Sequence, residues 1–108
     1  MKHKVRTIPP FERYAKPLLK KYPSLRADLR TLVHSLMSHP EQGTPLGMGC
    51  YKIRLAIASK GRGRSGGARV ITCFYAVEGT IWLLTIFDKS ERANISDKEL
   101  RALVATIP

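Results

Sequence analysis

The sequence predicts an α+β fold with its elements in the order β-α-α-β-β-β-α. Two early segments carry apolar residues at three- and four-residue spacing, and three later segments are rich in β-branched and aromatic residues. The 108 residues, 44% of them hydrophobic, suffice for one core. We therefore expect a single domain over residues 1–108, with the helices against one face of the sheet.

The N-terminal half predicts one strand and a helical hairpin. Residues 4–8 (KVRTI) alternate and are closed by two prolines, a pattern typical of a short strand. The first helical pattern begins at Phe11 and ends at Tyr22. Ser24 is the predicted N-cap of a second helix, which stops before Pro40.

The C-terminal half predicts a three-stranded antiparallel meander and a terminal helix. The strands are residues 50–58 (CYKIRLAIA), 69–77 (RVITCFYAV) and 81–87 (IWLLTIF), and a short turn containing glycine joins the last two. The preceding stretch EQGTPLGMG is predicted to be a turn-rich connector. Ser96 and Glu99 have the spacing of a capping box ahead of a short helix.

The charge is strongly positive. Lys and Arg number 19 against 8 Asp and Glu, which gives a formal net charge of +11. Between Glu41 and Glu78 there are six basic residues and no acid. A polyanionic partner would relieve this repulsion, and composition alone leaves nucleic acid, an anionic membrane or an acidic protein open. Since no signal peptide or membrane-spanning run is recognisable, we expect a cytoplasmic protein without a membrane partner.

Histidines and cysteines form no recognisable constellation in the sequence. Cys50 and Cys73 lack metal-ligand spacing and lie in apolar strand-like runs, so we expect reduced packing residues. His3, His34 and His39 are dispersed, and no carboxylate pair or Cys/His nucleophile spacing is present. We expect neither a metal nor a cofactor. If the protein is a hydrolase or transferase, we expect its Lys and Arg side chains to carry the reaction.

The stretch SKGRGRSGGAR, residues 59–69, joins two predicted strands. Its glycines would let backbone amides approach phosphates while Lys60, Arg62 and Arg64 neutralise them. A solvated hairpin connection is the alternative interpretation. The stretch lacks the GK[ST] ending of a Walker A loop.

Three strand cations flank this basic loop. Lys52 and Arg54 are predicted to share the strand face opposite the core, where they either meet an anion or form a solvated outer face. Arg69 begins the next strand with no acid nearby in the sequence. It is therefore a candidate for holding a phosphate through two parallel hydrogen bonds from its guanidinium group.

The segments CYKIRL, SKGRGRSGGAR, ARVIT and FDKSE, in this order, resemble the RelE/ParE superfamily of toxin–antitoxin toxins. The basic loop and the DKSE segment resemble its HigB-like branch, and the resemblance covers essentially the whole chain. The RelE and HigB families imply a ribosome-dependent mRNA endonuclease that inhibits translation, whereas the ParE family implies a gyrase poison. A non-catalytic RNA-binding or antitoxin-binding member is the third alternative.

The resemblance also implies roles for individual residues. Lys52 matches a proposed general base, Arg54 a residue that stabilises charge at the scissile phosphate, and Arg69 the arginine that holds the phosphate. Lys89 lies in the segment that closes the site. Four further cations are expected to contact RNA phosphates: Lys60, Arg62, Arg64 and Arg92.

The chain departs from the RelE pattern at two positions. RelE has an arginine directly after the lysine matched here by Lys89, and this chain has Ser90. The later tyrosine of RelE falls near Ser96. Arg92 is the cation that we expect to replace the missing arginine charge.

The implied reaction is metal-independent attack by a ribose 2′-hydroxyl on its own phosphate. Because RNA supplies the nucleophile, the protein needs to supply only alignment, a base and cations that face the developing charge. The expected partners are the ribosome with its mRNA and a cognate antitoxin. We expect that antitoxin to be acidic, and a helix-turn-helix protein is the kind that we anticipate.

Overall fold

A computed structural model of the chain describes residues 3–61 and 63–108, apart from the Arg64 side chain. The elements of the described residues are β1 (Lys4–Thr7), α1 (Pro9–Lys21), α2 (Leu25–Ser38), β2 (Thr44–Gly47), β3 (Cys50–Leu55), α3 (Gly63–Gly66), β4 (Ala68–Tyr75), β5 (Thr80–Asp88) and α4 (Asp97–Val104). A single 3-10 turn, Ala58–Lys60, precedes α3. The predicted α+β class is confirmed, and β2 and α3 are additions to the predicted order.

The strands form one five-stranded sheet in the order β1-β5-β4-β3-β2. The predicted meander β3-β4-β5 is antiparallel throughout, and the first strand, β1, pairs with β5 in parallel. The prediction of a turn-rich connector is wrong for β2, which pairs with β3 at the edge of the sheet. Pro45 is compatible with an edge strand because its missing N–H is not needed on the open side.

The sheet is covered on both faces, so the prediction of helices on one face is wrong. One cluster packs α1 and α2, through residues such as Phe11 and Leu36, against Ile53, Leu83 and their neighbours. The other cluster packs α4 through Leu100 against the opposite face. Every residue of β5 is buried, and a strand that is apolar on both faces requires cover on both. No helix in the described part of the chain is long and apolar enough to cross a membrane.

The two predicted helix caps differ in outcome. Ser96 caps α4 as predicted, since its hydroxyl accepts the Glu99 backbone N–H at 3.1 Å. Ser24 precedes α2, but its side chain makes no capping bond there. Its hydroxyl instead donates to the Asp28 carboxylate and accepts the backbone N–H of Ser59. A residue expected to cap a helix therefore joins that helix to the start of the basic loop.

The two cysteines are buried and free, as predicted. Cys50 and Cys73 lie opposite each other on β3 and β4, and both thiols donate to the Met48 carbonyl. The hydrogen bond to Cys73, together with burial, raises the pKa of Cys50, so this residue stays a thiol.

Gly67 lies against the backbone of the segment after β3, at the point where the basic loop rejoins the sheet. A Cβ atom there would lie 2.0 Å from the Leu55 carbonyl oxygen and 3.0 Å from the Ile57 nitrogen, both of them backbone atoms. The Gly67 carbonyl accepts the Lys89 N–H at 3.0 Å. Only glycine allows this approach, which sets where the loop rejoins β4.

We predict that Gly67→Ala destabilises the fold by about 3 kcal/mol or more, because backbone atoms cannot move aside as a flexible side chain would. Gly61→Ala is the matched control. Gly61 has a φ of 69° but no atom within 4 Å of an added Cβ, so only the left-handed backbone cost of about 1 kcal/mol is expected there. Urea unfolding of both variants measures the difference, and equal losses would contradict the steric explanation.

Candidate functional site

Three of the predicted site cations lie on one face of the sheet. Arg54 and Arg69 are direct partners across β3 and β4, so both side chains emerge on the same side, and Lys52 precedes Arg54 by one pleat repeat. Arg54 is exposed, whereas Lys52 is half-buried and donates to Asn94 Oδ1 at 2.7 Å. Asn94 carries no signal of its own in the sequence, since its position depends on the fold of the segment between β5 and α4.

Arg69 is 4% exposed and lies beneath the basic loop. Its guanidinium donates to the Ala68 carbonyl at 3.1 Å and to the Ser65 carbonyl, in α3, at 3.3 Å. Burial is the larger cause of a lowered pKa for Arg69, and the adjacent Arg54 charge is the smaller one. An arginine nevertheless stays protonated in proteins. Arg69 therefore brings a positive charge to the end of the sheet and holds the basic loop against it.

Lys60 forms a buried ion pair with Asp88. Its Nζ lies 2.8 Å from Asp88 Oδ1, and the two side chains are 9% and 0% exposed. The same ammonium lies 5.4 Å from the centroid of the Tyr22 ring. The sequence analysis predicted that Lys60 contacts RNA; in the structure its ammonium faces the protein interior.

Asp88 is the centre of a buried polar cluster that the sequence analysis missed. Besides Lys60, its carboxylate accepts the Tyr22 hydroxyl at 2.5 Å and both the backbone N–H and the hydroxyl of Ser90, at 2.9 and 2.8 Å. Burial alone would raise the pKa of Asp88, but the hydrogen bonds from Lys60, Tyr22 and Ser90 outweigh it and hold the pKa well below its usual value. Asp88 directly follows the predicted strand 81–87, but nothing local in the sequence indicates its partners.

A second polar cluster fastens the start of the basic loop to α2. The Asp28 carboxylate accepts the Ser24 hydroxyl at 2.7 Å and the Ala58 N–H at 3.2 Å. Ser24 Oγ in turn accepts the Ser59 N–H at 2.8 Å. The loop therefore begins on two attachments, one to α2 and one to the end of β5.

The remaining predicted residues lie after β5 or outside the described residues. Lys89 is half-buried in the turn after β5, tied by its backbone to Gly67. Arg92 makes two hydrogen bonds to the Glu99 carboxylate, at 2.8 and 3.0 Å, and its guanidinium lies 4.4 Å from the Phe87 ring centroid. The Glu99 hydrogen bond raises the pKa of Arg92. Two predictions lie outside the described residues: those on Arg62 and on the Arg64 side chain.

Two surface cavities border these residues. One of about 600 Å³ runs between α2 and the outer edge of β3, where Lys52, Arg54 and Ala56 line it. The other, of about 500 Å³, lies between α1, the end of β5 and α4, with Arg92 and Glu99 in its wall. Among residues 3–61 and 63–108, no cluster of three or more His, Cys, Asp or Glu side chains could hold a metal ion.

The arrangement defines a class of protein: a small α+β domain whose sheet carries a row of cations next to a glycine-rich basic loop. A family model, the RelE toxin of the RelE / RelB toxin-antitoxin system, matches residues 10–106. The chain therefore belongs to this family of toxins, and membership implies an antitoxin partner. The finer resemblance to the HigB-like branch stays a prediction.

Two solved structures of E. coli RelE have a similar fold. One is a double arginine-to-alanine mutant in the free state, 19% identical, with a TM-score of 0.64 over 100% of both chains. The other is the isolated toxin in a P21 crystal form, 19% identical, with a TM-score of 0.58 over 97% of this chain and 99% of that one. The likeness shows that the fold is shared over essentially the whole chain.

We predict that the Asp88 carboxylate makes stability depend on pH below about 4. Its folded-state pKa is depressed, so its contribution is present above the unfolded-state pKa of about 3.9 and is lost as the pH falls below that value. Urea unfolding between pH 6 and pH 2 should show a steeper loss for the parent than for Asp88→Asn. Glu78→Gln, which removes an exposed carboxylate, should follow the parent. Equal slopes for the parent and Asp88→Asn would contradict the prediction.

Proposed function

We propose that the chain is the toxin of a toxin–antitoxin pair and acts as a ribosome-dependent mRNA endonuclease that inhibits translation. The observation that supports this proposal is the shared face of Lys52, Arg54 and Arg69, at the end of the sheet where the basic loop and the turn after β5 meet. A row of cations on rigid strands suits a reaction in which negative charge grows on a phosphate.

In the proposed reaction, the 2′-hydroxyl oxygen bonds to the adjacent phosphorus and the bond from phosphorus to the 5′ oxygen breaks. The leaving 5′ oxygen takes up a proton from water, so the products are a 2′,3′-cyclic phosphate and a 5′-hydroxyl. Lys52 is the proposed base for the 2′-hydroxyl proton, and its nitrogen is steadied by Asn94. Arg54 is the exposed cation for the non-bridging oxygens, and Lys89 adds charge from the turn after β5.

The proposal gives Arg69 two roles, one as a charge that acts at a distance and one as a direct phosphate ligand. Its charge acts on a phosphate through the low-dielectric site even while the guanidinium stays beneath the loop. Direct contact with a phosphate requires the Ser65 carbonyl to release the guanidinium. Arg69 therefore serves first as a fixed charge and second as a phosphate ligand.

The ribosome is the proposed source of alignment for the RNA. The site offers cations but, among the described residues, few groups that would hold a flexible strand in the in-line geometry that the reaction needs. We therefore expect little cleavage of free RNA. The acidic antitoxin proposed as the partner would cover the same cations and remove them from RNA.

We predict that Lys52→Ala reduces cleavage of ribosome-bound mRNA by roughly 100-fold or more, the usual effect of losing a general base. Arg54→Ala should also reduce it, because an exposed charge at the scissile phosphate is lost. Primer extension on translated mRNA measures the new 5′ ends. Lys16→Ala, on an exposed face of α1, is the matched control and should cut like the parent.

Two outcomes would contradict the proposed function. One is the absence of new 5′ ends at ribosome-occupied codons with the parent protein, and the other is undiminished cutting by Lys52→Ala. A supercoiling assay adds a direct test of the alternative, since inhibition of purified gyrase with intact translation would favour a gyrase poison.

A further inference from the structure

The basic loop is held at both of its ends. At its start Ser59 bonds to Ser24, and Lys60 pairs with Asp88. At its end Gly67 packs on the Leu55 carbonyl and accepts the Lys89 N–H. The loop therefore departs from, and returns to, fixed points on the sheet.

The attachment through Asp88 differs from the others because it is a buried ion pair. Asp88 is 0% exposed, and Lys60 is its cationic partner at 2.8 Å. A carboxylate removed from water requires a cation and several donors, and breaking such a pair leaves a buried charge uncompensated. Transfer of the Lys60 ammonium to an RNA phosphate would leave Asp88 in that condition, so Lys60 is poorly suited to gripping RNA.

We infer that Asp88 is a positioning residue for the proposed reaction: through Lys60 and Ser90 it fixes the basic loop and the turn after β5 at the end of the sheet that carries Arg54 and Arg69. This inference rests on the proposed function for its consequence in catalysis. Its structural half, that Asp88 holds the loop through Lys60, stands independently of RNA cleavage.

The path from Asp88 to the strand cations is short. Asp88 is the register partner of Ala68, the residue before Arg69. The Ser90 bonds to the carboxylate shape the turn that contains Lys89. The loop that Lys60 anchors carries the Ser65 carbonyl, which accepts from Arg69. Release of Lys60 would therefore disturb the placement of Arg69 through the loop, and loss of the Ser90 bonds would disturb that of Lys89.

Two interpretations of Lys60 make opposite predictions for Asp88→Asn. If Lys60 grips RNA, then loss of the Asp88 charge frees the ammonium, and the KM for ribosome-bound mRNA should fall or stay unchanged with full kcat. If Asp88 positions the loop, then Asp88→Asn and Lys60→Met should act alike. Both should lower kcat by roughly 10- to 100-fold, the cost of a site misplaced by about 1 Å, while KM changes by less than about 3-fold.

The decisive variant is the double change Lys60→Met/Asp88→Asn. It removes both charges together, so no lone buried charge remains, and the replacements keep similar volume; such exchanges are often tolerated by the fold. In Asp88→Asn, the amide oxygen in the place of Oδ1 still accepts from Ser90, and the amide nitrogen in the place of Oδ2 can donate to the Tyr22 hydroxyl oxygen. The bond that the double variant loses is therefore the one from Lys60, which attaches the loop. Lys16→Met and Glu78→Gln are controls that remove one exposed charge each.

The experiment measures kcat and KM for cleavage of ribosome-bound mRNA, and amide hydrogen exchange over residues 58–67, for the parent and each variant. We expect the double variant to lose kcat as above and to exchange about 10-fold faster in this segment, with β4 and β5 unchanged. Unchanged exchange and unchanged kcat in the double variant would overturn the inference, as would a lower KM with full kcat for Asp88→Asn.

The cleavage measurement and the exchange measurement together distinguish failure of this inference from failure of the proposed function. If the parent protein fails to cut mRNA on the ribosome, the proposed function is wrong, and the exchange measurement still decides whether Asp88 holds the loop. If the parent cuts and the double variant cuts equally well, the proposed function survives and the inference is wrong.

Discussion

The buried carboxylate of Asp88 is the constraint around which the functional end of the molecule is arranged. A charge without access to water must be met by donors, and these come from three separate parts of the chain: Tyr22 after α1, Lys60 at the start of the loop and Ser90 after β5. Because each donor belongs to a different segment, satisfying one carboxylate brings all three together. The glycine-rich loop, whose composition favours no structure of its own, acquires a fixed starting point in this way.

The strand cations impose the opposite condition, since they repel one another. Arg54 and Arg69 face each other directly across two strands, an arrangement that destabilises a sheet, and burial of Arg69 adds to the cost. The carbonyls of Ala68 and Ser65 satisfy hydrogen bonds of the guanidinium without cancelling its charge. A polyanion bound at this face would relieve the repulsion between the two guanidinium groups.

The sequence was sufficient where local patterns decide the structure, and insufficient where distant segments meet. Periodicity identified the meander and both long helices, the local spacing identified the Ser96 cap, and alternation predicted that Lys52 and Arg54 share a strand face. The strand register in the structure adds Arg69 to that face. Strand β2 was missed because a short edge strand with proline has the composition of a turn. The role of Lys60 depends on Asp88, which lies 28 residues further along the chain. No local pattern around either residue predicts that the two form an ion pair.

The parallel pairing of β1 with β5 has a consequence for the order in which the molecule can form. β1 precedes every other element of the sheet, but its hydrogen-bonding partner β5 follows the other four strands, and such distant contacts form late because long loops must close first. The helical hairpin and the β3–β4 pair can assemble on a nascent chain before β5 has emerged. Asp88 ends β5, so the anchor of the basic loop is made after the loop itself, and the loop has no fixed starting point until β5 has joined the sheet.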